Sequence, residues 1–371
     1  MGDSGLRLRY ERGPDFFRFL SMQGEDFRVF LGEEPREDRP PTQQAERSVH
    51  LVATFSHRMG YIDGVAQSIG YLGDFRVHRS RKLPIIWRKA YADLIRNTQI
   101  IDEIKNCTRC ITAVIDENTP AMRALVEPKK KTSFRYIPID RYRTVSILGK
   151  LPWSRLLHRS SLHSRTLRAR RAEKGDRVRL LAFLDRNAKL RPYGFPAEIE
   201  MARRERTWPE FSIESFWLTE NRDGEILCAF APWSPSPAKR IIIDRLPSGS
   251  AFTLWLAKLF GFYTPRLQEE LQITTLTWLE TEARLSLADK QSVFRFTLDS
   301  FFCSSTPGYR FNAQNSMIAF CDFDQEPLIG GLSGYITQQI PMTLYEVTAD
   351  QAKTQAQTER LRPSGFEIAL V

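Results

Sequence analysis

The 371-residue sequence is short of several things. Its five cysteines (Cys107, Cys110, Cys228, Cys303, Cys321) are odd in number and thinly spread, which argues against a disulfide framework and makes free thiols the expectation. Cys107 and Cys110 form a single C-x-x-C, but there is no second such pair and no H-x-x-x-H, so the four ligands of a structural zinc site are missing and no metal is expected. No apolar run is long enough to span a bilayer. The longest, Ala251 to Tyr263, is interrupted by Lys258 and reads as a core or interfacial helix. The first residues, with Arg7 and Arg9, show no apolar stretch before a cleavage site, so no secretory signal is expected and the cytoplasm is the default location. What is present, 42% hydrophobic and 26% charged residues, is the composition of a globular protein, and the length suits two domains of ordinary size.

Acid is also lacking from one segment. Lys150 to Arg171 holds Lys150, Arg155, Arg159, Arg165, Arg168, Arg170 and Arg171 without a single carboxylate, and it supplies most of the net charge of +10. It separates two stretches of clear apolar patterning, so residues 1–149 are expected to form one domain, 150–176 a basic connection and 177–371 a second domain. The run reads as a solvated linker or exposed arm. Clustered cations also attract polyanions by counterion release, which leaves nucleic acid or an acidic partner open at this segment. Glu33 to Glu46, rich in Pro, Arg and acids, reads as a surface loop.

In the first half, Asp26–Leu31 and Val49–Ile62 read as strands, Asp63-Gly64 as a two-residue hairpin turn, and Val65–Arg79 as the return strand. A helix is expected to open at Pro84, with Trp87, Tyr91, Leu94 and Ile95 as its apolar stripe. Cys110–Ile115 reads as the next strand. Asp116 to Pro120 then supplies a turn, a cap and the start of a short helix. Strand, helix and strand make a parallel βαβ unit. The second half follows the same plan. Ile226–Ala231, Arg240–Asp244 and Thr275–Leu287 are expected strands, and Asp289 caps a helix through Val293, Phe294, Leu298 and Phe301. Ser316–Phe320 is a strand, Glu326-Pro327 opens a short helix, and Met342–Thr348 is the last strand. The order of elements in Ile69–Leu125 and Thr275–Gly334 suggests an internal duplication.

Gly70-Tyr71-Leu72-Gly73-Asp74-Phe75-Arg76-Val77, followed by a basic turn and a helix, resembles the central strand and motif A of the GNAT N-acetyltransferases. Thr112 to Leu125, with Asn118 ahead of a short helix, resembles the next strand and helix of that family. The likeness covers roughly residues 5–148, and the second half looks like a more divergent unit of the same kind. The resemblance implies an α/β (α+β) fold of tandem GNAT-like domains. Each would have a mixed, mostly antiparallel sheet, a central parallel βαβ unit and flanking helices.

It further implies acetyl-CoA, or another acyl-CoA, as cofactor. In such folds two parallel strands part and the pantetheine arm completes the exposed backbone ladder, here assigned to Phe75, Arg76 and Val77. The pyrophosphate falls to Arg79, Arg81, Lys82, Leu83, Pro84 and Ile85 at the start of the helix, where free N–H groups and the helix dipole favour an anion. Asn118 belongs to the cofactor set. The aligned phosphate loop has no glycine, which departs from the family pattern. Asp74 is the expected general base, because an attacking amine must lose a proton. The short helix carries no tyrosine, so Tyr142 or Tyr136 is left to protonate the leaving thiolate. The function implied is acetyl transfer to a small-molecule or peptide amine. A catalytically silent acyl-CoA-binding scaffold and a basic-surface protein are the two alternatives.

Overall fold

The computed structural model describes residues 7–33, 49–77, 107, 109–127, 134–151, 166–236, 238–246, 258, 263–303, 316–348 and 362–367. In chain order these form β1 (Arg7–Glu11), α1 (Phe17–Gln23), β2 (Asp26–Glu33), β3 (Val49–Ile62), β4 (Val65–Val77), β5 (Arg109–Ile115) and α2 (Thr119–Ala121), which runs into a π-helical turn at Met122–Val126. β6 (Arg135–Lys150), β7 (Arg168–Arg171), α3 (Arg177–Ala188), α4 (Ala197–Thr207), β8 (Trp217–Glu220), β9 (Ile226–Trp233) and β10 (Arg240–Arg245) follow. The chain continues with β11 (Ile273–Thr281), α5 (Leu287–Cys303), β12 (Met317–Phe323) and β13 (Tyr335–Thr348).

Local chemistry accounts for the turns. Asp63 and Gly64 sit at φ of 50° and 75°, and Ile62 pairs with Val65 across them, as a tight hairpin requires. Asn118 caps α2 by accepting the Ala121 N–H at 3.2 Å. The expected strand to Leu287 ends at Thr281 instead, because Ser286 caps α5 by accepting the Asp289 N–H at 3.2 Å. Asp289, expected to be the cap, lies inside the first turn. β13 starts seven residues before the expected Met342. Pro341 is tolerated inside it because pairing with β5 begins only at Met342, so the missing N–H is not called on.

Eleven strands form one sheet in the order β2-β3-β4-β5-β13-β6-β12-β11-β9-β8-β7, and β1 pairs with β10 in a separate ribbon. The order is nearly symmetric about the long antiparallel β6–β13 pair. β4 and β5 are parallel on one side, β11 and β12 on the other, and all other neighbours are antiparallel. The last strand of each half therefore sits in the opposite half of the sheet: β13 against β5, and β6 against β12. Of the basic run, residues 152–165 lie outside the described residues. Arg168–Arg171 differ from a solvated connection: they are the edge strand β7, paired with β8.

Helices α3 and α4 cover one face of the second half through Leu180, Leu184 and Met201, while α5 packs Val293, Phe294, Leu298 and Phe301 on the other. Residues 362–367 cross the middle of the molecule, with Phe366 packed among Ile69, Tyr71, Tyr142, Phe323 and Leu344.

Candidate functional site

The two parallel pairs share an uncommon geometry. β4 and β5 are paired only over Ile69–Tyr71 and Arg109–Ile111, although β4 runs on to Val77 and β5 to Ile115. β11 and β12 are paired only over Ile273–Thr275 and Met317–Ala319. Beyond these short ladders the strands part and the parallel ladder is not continued: past β4 and β5 the Leu72 carbonyl accepts instead from the Thr112 hydroxyl at 2.7 Å, and the Tyr71 hydroxyl meets the Ala113 backbone, so the remaining facing groups are left for other partners. Just past the parting each longer strand bulges. β4 sets four residues, Gly73 to Arg76, against three of β3, Val52 to Thr54. β11 sets Thr277 to Glu280 against Ala229 to Ala231 of β9. The bulge residues Asp74 and Trp278 lie at φ of 48° and 51°. Short polar Asp tolerates that region, but Trp does not without strain.

In the first half the bulge presents Asp74, 14% exposed in its side chain. Arg12 grips it from beyond the end of β1. Nη2 donates to Oδ1 at 2.8 Å, and Nη1 lies 2.5 Å from Oδ2. Thr54 Oγ1 stands 3.5 Å from Oδ2, and the exposed Arg76 3.9 Å from Oδ1. The β1–β10 ribbon brings a further cation to the same place. Glu11 is opposite Arg240, so Lys239 continues the register beside Arg12, half-buried over the Phe19 ring at 5.1 Å. Burial, reinforced by Arg12, brings the Lys239 ammonium down to about 8.

Of the expected cofactor residues, Phe75 and Val77 are half-buried and pack on the cluster around Leu51, Phe55 and Leu72, while Arg76 points to solvent. Arg79, Arg81, Lys82, Leu83, Pro84 and Ile85 lie outside the described residues. Asn118 is exposed, and its side-chain oxygen is taken up by its own cap. Tyr142, on β6, is 2% exposed, with ring centroids 5.6 Å from Phe323 and 5.5 Å from Phe366. Among the described residues its hydroxyl has no hydrogen-bond partner, and burial holds its pKa well above the ordinary phenol range. Tyr136 packs edge-on against Phe134 and Tyr345. His57 faces Asp26 at 3.2 Å. Cys110 is a buried free thiol pushed up to about 12, and among the described residues no group of His, Cys, Asp and Glu is arranged to hold a metal.

Two residues of this site, Arg12 and Lys239, carry no sequence signal of their own, and a third, Tyr71, stands in the strand motif without a role assigned to it. Tyr71 lies between Asp74 and the core, its ring 6.0 Å from Phe366 and its hydroxyl raised by burial and then by the Asp74 charge. Arg12 and Lys239 reach the bulge only because β1 pairs with β10, some 230 residues away in sequence.

In the second half the corresponding parting is filled from within. The Trp278 N–H donates to Glu367 Oε1 at 2.8 Å, and Arg204 holds the other oxygen at 3.0 Å. Phe195, Trp278, Glu280, Phe323, Phe366 and Glu367 are among the residues that line the cavity left beside this segment.

No family model matches the chain, and no curated protein matches it in sequence. Solved structures do match in fold. N-myristoyltransferase of Saccharomyces cerevisiae with bound myristoyl-CoA is 12% identical, with 94% of this chain and 72% of that one covered at a TM-score of 0.50. A GCN5-related N-acetyltransferase from Sphaerobacter thermophilus is 12% identical over 84% of this chain and 80% of that one, at 0.46. Another from Anabaena variabilis is 10% identical over 91% and 72%, at 0.42. At such identities the likeness is one of fold, and the match at 0.50 carries it. Together with two parted parallel pairs, each with its bulge, it shows that this chain shares the fold of that N-myristoyltransferase, in keeping with the GNAT-like fold expected from the sequence, with two similar halves in one sheet.

Proposed function

We propose that this protein is an acyl-CoA-dependent acyltransferase that moves an acetyl group to an amine, with its cofactor cleft between β4 and β5. The observation that carries the reading is the parting of these strands after three paired residues together with the bulge at Asp74. An edge of this kind accepts an extended amide-bearing arm by strand addition, and Phe75, Arg76 and Val77 are the residues that would hold it. Arg79, Arg81, Lys82 and the helix expected from the sequence to open at Pro84 would hold the phosphates. When bound, acetyl-CoA supplies an activated thioester. Asp74 takes the proton of the acceptor amine, and Arg12 loosens its grip on one oxygen to let it do so. We place the cofactor half in residues 1–149 and the partner half in 177–371, with the 150–176 segment between them lending β7 to the edge of the partner half.

Calorimetric titration with acetyl-CoA tests the cleft. A charge-assisted contact is worth about 1.5–3 kcal/mol, so replacing Arg81 and Lys82 together weakens binding more than tenfold. Asp74→Asn leaves affinity intact and lowers kcat at least a hundredfold, as for a base that meets the amine and not the phosphates. Unchanged affinity in the double variant moves the cofactor elsewhere. The Arg12 grip on Asp74 favours a second reading, an acyl-CoA-binding protein without turnover. Tight binding by the wild type with no transfer to any amine offered would select it.

A further inference from the structure

Arg58 is the most anomalous polar residue of the fold. It lies on β3, opposite Ile69 of β4, and is 4% exposed. Among the described residues it makes no hydrogen bond and no ion pair, and its Nη2 is buried without a partner. Its guanidinium stacks on the Phe195 ring at 4.3 Å from the centroid, which covers a face of the group and leaves the buried Nη2 at its edge unanswered. Burial draws it down to about 10, so it stays charged at neutral pH. A buried charge without a partner is strongly destabilising. A fold retains such a group most readily when something it binds supplies the missing acceptor.

The surroundings say which acceptor. Glu200 and Glu367 lie near enough to act on Arg58 electrostatically, but both are already engaged. Glu200 accepts from Arg203 at 2.7 and 2.9 Å and from Arg204 at 2.6 Å. Glu367 accepts from Arg204 and from the Trp278 N–H. Three guanidinium groups thus share two buried carboxylates, with the exposed Glu25 acting on Arg203 from outside, so the buried groups carry a surplus of one positive charge. The neighbouring unpartnered atoms Arg204 Nη1 and Trp278 Nε1 are donors as well, and Gln23 Oε1 at the end of α1 is a neutral acceptor that carries no charge to offset them. What is lacking is a single planar acceptor with one negative charge. A dianionic phosphate would set its second charge beside Glu200 and Glu367, and a carboxylate avoids that.

We propose that Arg58 anchors a carboxylate-binding site in the seam between β3 and the Phe195 segment, beside the cavity that Phe195 and Glu367 help to line. The ligand's identity rests on the acyl-transfer reading. Arg58 and Thr54 are four residues apart and so share a face of β3, and Thr54 touches Asp74. An acceptor lying along β3 meets Asp74 with its amine and Arg58 with its carboxylate.

The test begins with acetate, small enough to enter whatever the rest of the true ligand looks like. At constant ionic strength, replacing chloride by acetate raises the melting temperature of the wild type by about 2 °C or more, and phosphate does not. Arg58→Met melts above the wild type in chloride, because an unpaired buried charge is gone, and no longer responds to acetate. Arg58→Lys keeps the charge without the fork and responds less than half as much. An equal acetate response in the wild type and the Met variant overturns the site, as does phosphate matching acetate or a Met variant less stable than wild type in chloride. A kinetic arm compares 8-aminooctanoate with octylamine as acceptors of acetyl groups, because amine and carboxylate must stand on the order of 10 Å apart to reach both residues. The wild type favours the aminooctanoate more than tenfold in kcat/KM, and Arg58→Met removes that preference. If neither amine is acetylated while the acetate response holds, the acyl-transfer reading fails and the anion site stands.

Discussion

Asp322 on β12 is 1% exposed. Its Oδ1 accepts the N–H groups of Leu328 and Ile329 at 2.6 and 3.2 Å, and its Oδ2 is buried without a partner. Burial outweighs those two amides and lifts the carboxyl from 3.8 to about 6. The folded state then binds the proton more tightly than the unfolded chain between these values. Stability from this residue is full below pH 4, falls as pH rises, and is lost above pH 6, a change on the order of 3 kcal/mol. Asp322→Asn keeps the accepting oxygen and removes the titration, so its melting temperature gains on the wild type between pH 4 and 7. Parallel melting curves across that range would assign the pH dependence to another group. Residues of this kind are invisible in a sequence, since nothing beside Asp322 in the chain distinguishes it from the exposed Asp324. The candidate site divides in the same way. Asp74 was legible because it stands in a strand whose neighbours resemble a family motif. Arg12, Lys239 and Arg58 were not, because their role comes from which distant strand they are laid against.

At the scale of elements, strands with regular alternation or a marked turn were legible, such as β3 and β4 around Asp63-Gly64. Helix α4 was not. Its inward face carries Glu200, Arg203 and Arg204, all buried, so the apolar stripe that announces a helix is replaced by an ion network. β6 was missed because Pro138 and the alternating cations Arg141 and Arg143 disguise a central strand. β7 was hidden by its charge. A solvated basic run would let Arg170 be replaced freely, yet Arg170 donates to Asp176 at 2.6 and 2.8 Å and to Glu220 at 3.1 and 3.2 Å. Both acids are nearly buried, and Arg179 is their other partner. Arg170→Ser therefore costs about 2 kcal/mol by leaving half-paired buried carboxylates, while Arg168→Ser, at the exposed start of the strand, changes stability by less than about 0.5 kcal/mol. Chemical denaturation of the two variants makes the comparison, and equal midpoints would show that β7 contributes nothing through Arg170.

For the whole molecule, the sequence pointed to two domains and a connection, but local patterning cannot show that β6 and β13 exchange places across the middle of one sheet. That exchange, and the segment 362–367 above it, tie the halves together. Arg362 joins Glu280, Glu326 and Asn187, the Ser364 N–H donates to Asp140 of β6 at 2.7 Å, and Phe366 packs against Tyr71 of β4 and Tyr142 of β6. Gly365 lets this segment pass, because a Cβ there would stand 2.5 Å from the Cα of Gly194. Domains that meet only through a linker melt separately, whereas halves that share a ladder and a common strap melt as one cooperative unit. Scanning calorimetry of the wild type should show a single transition. Gly365→Ala forces the strap off the sheet, and it should lower that transition by several degrees without splitting it, as an overpacked core position does when it costs about 1–3 kcal/mol. Two transitions in the wild type, or a Gly365→Ala variant that melts like it, would mean that neither the exchanged strands nor the strap couples the first half to the second.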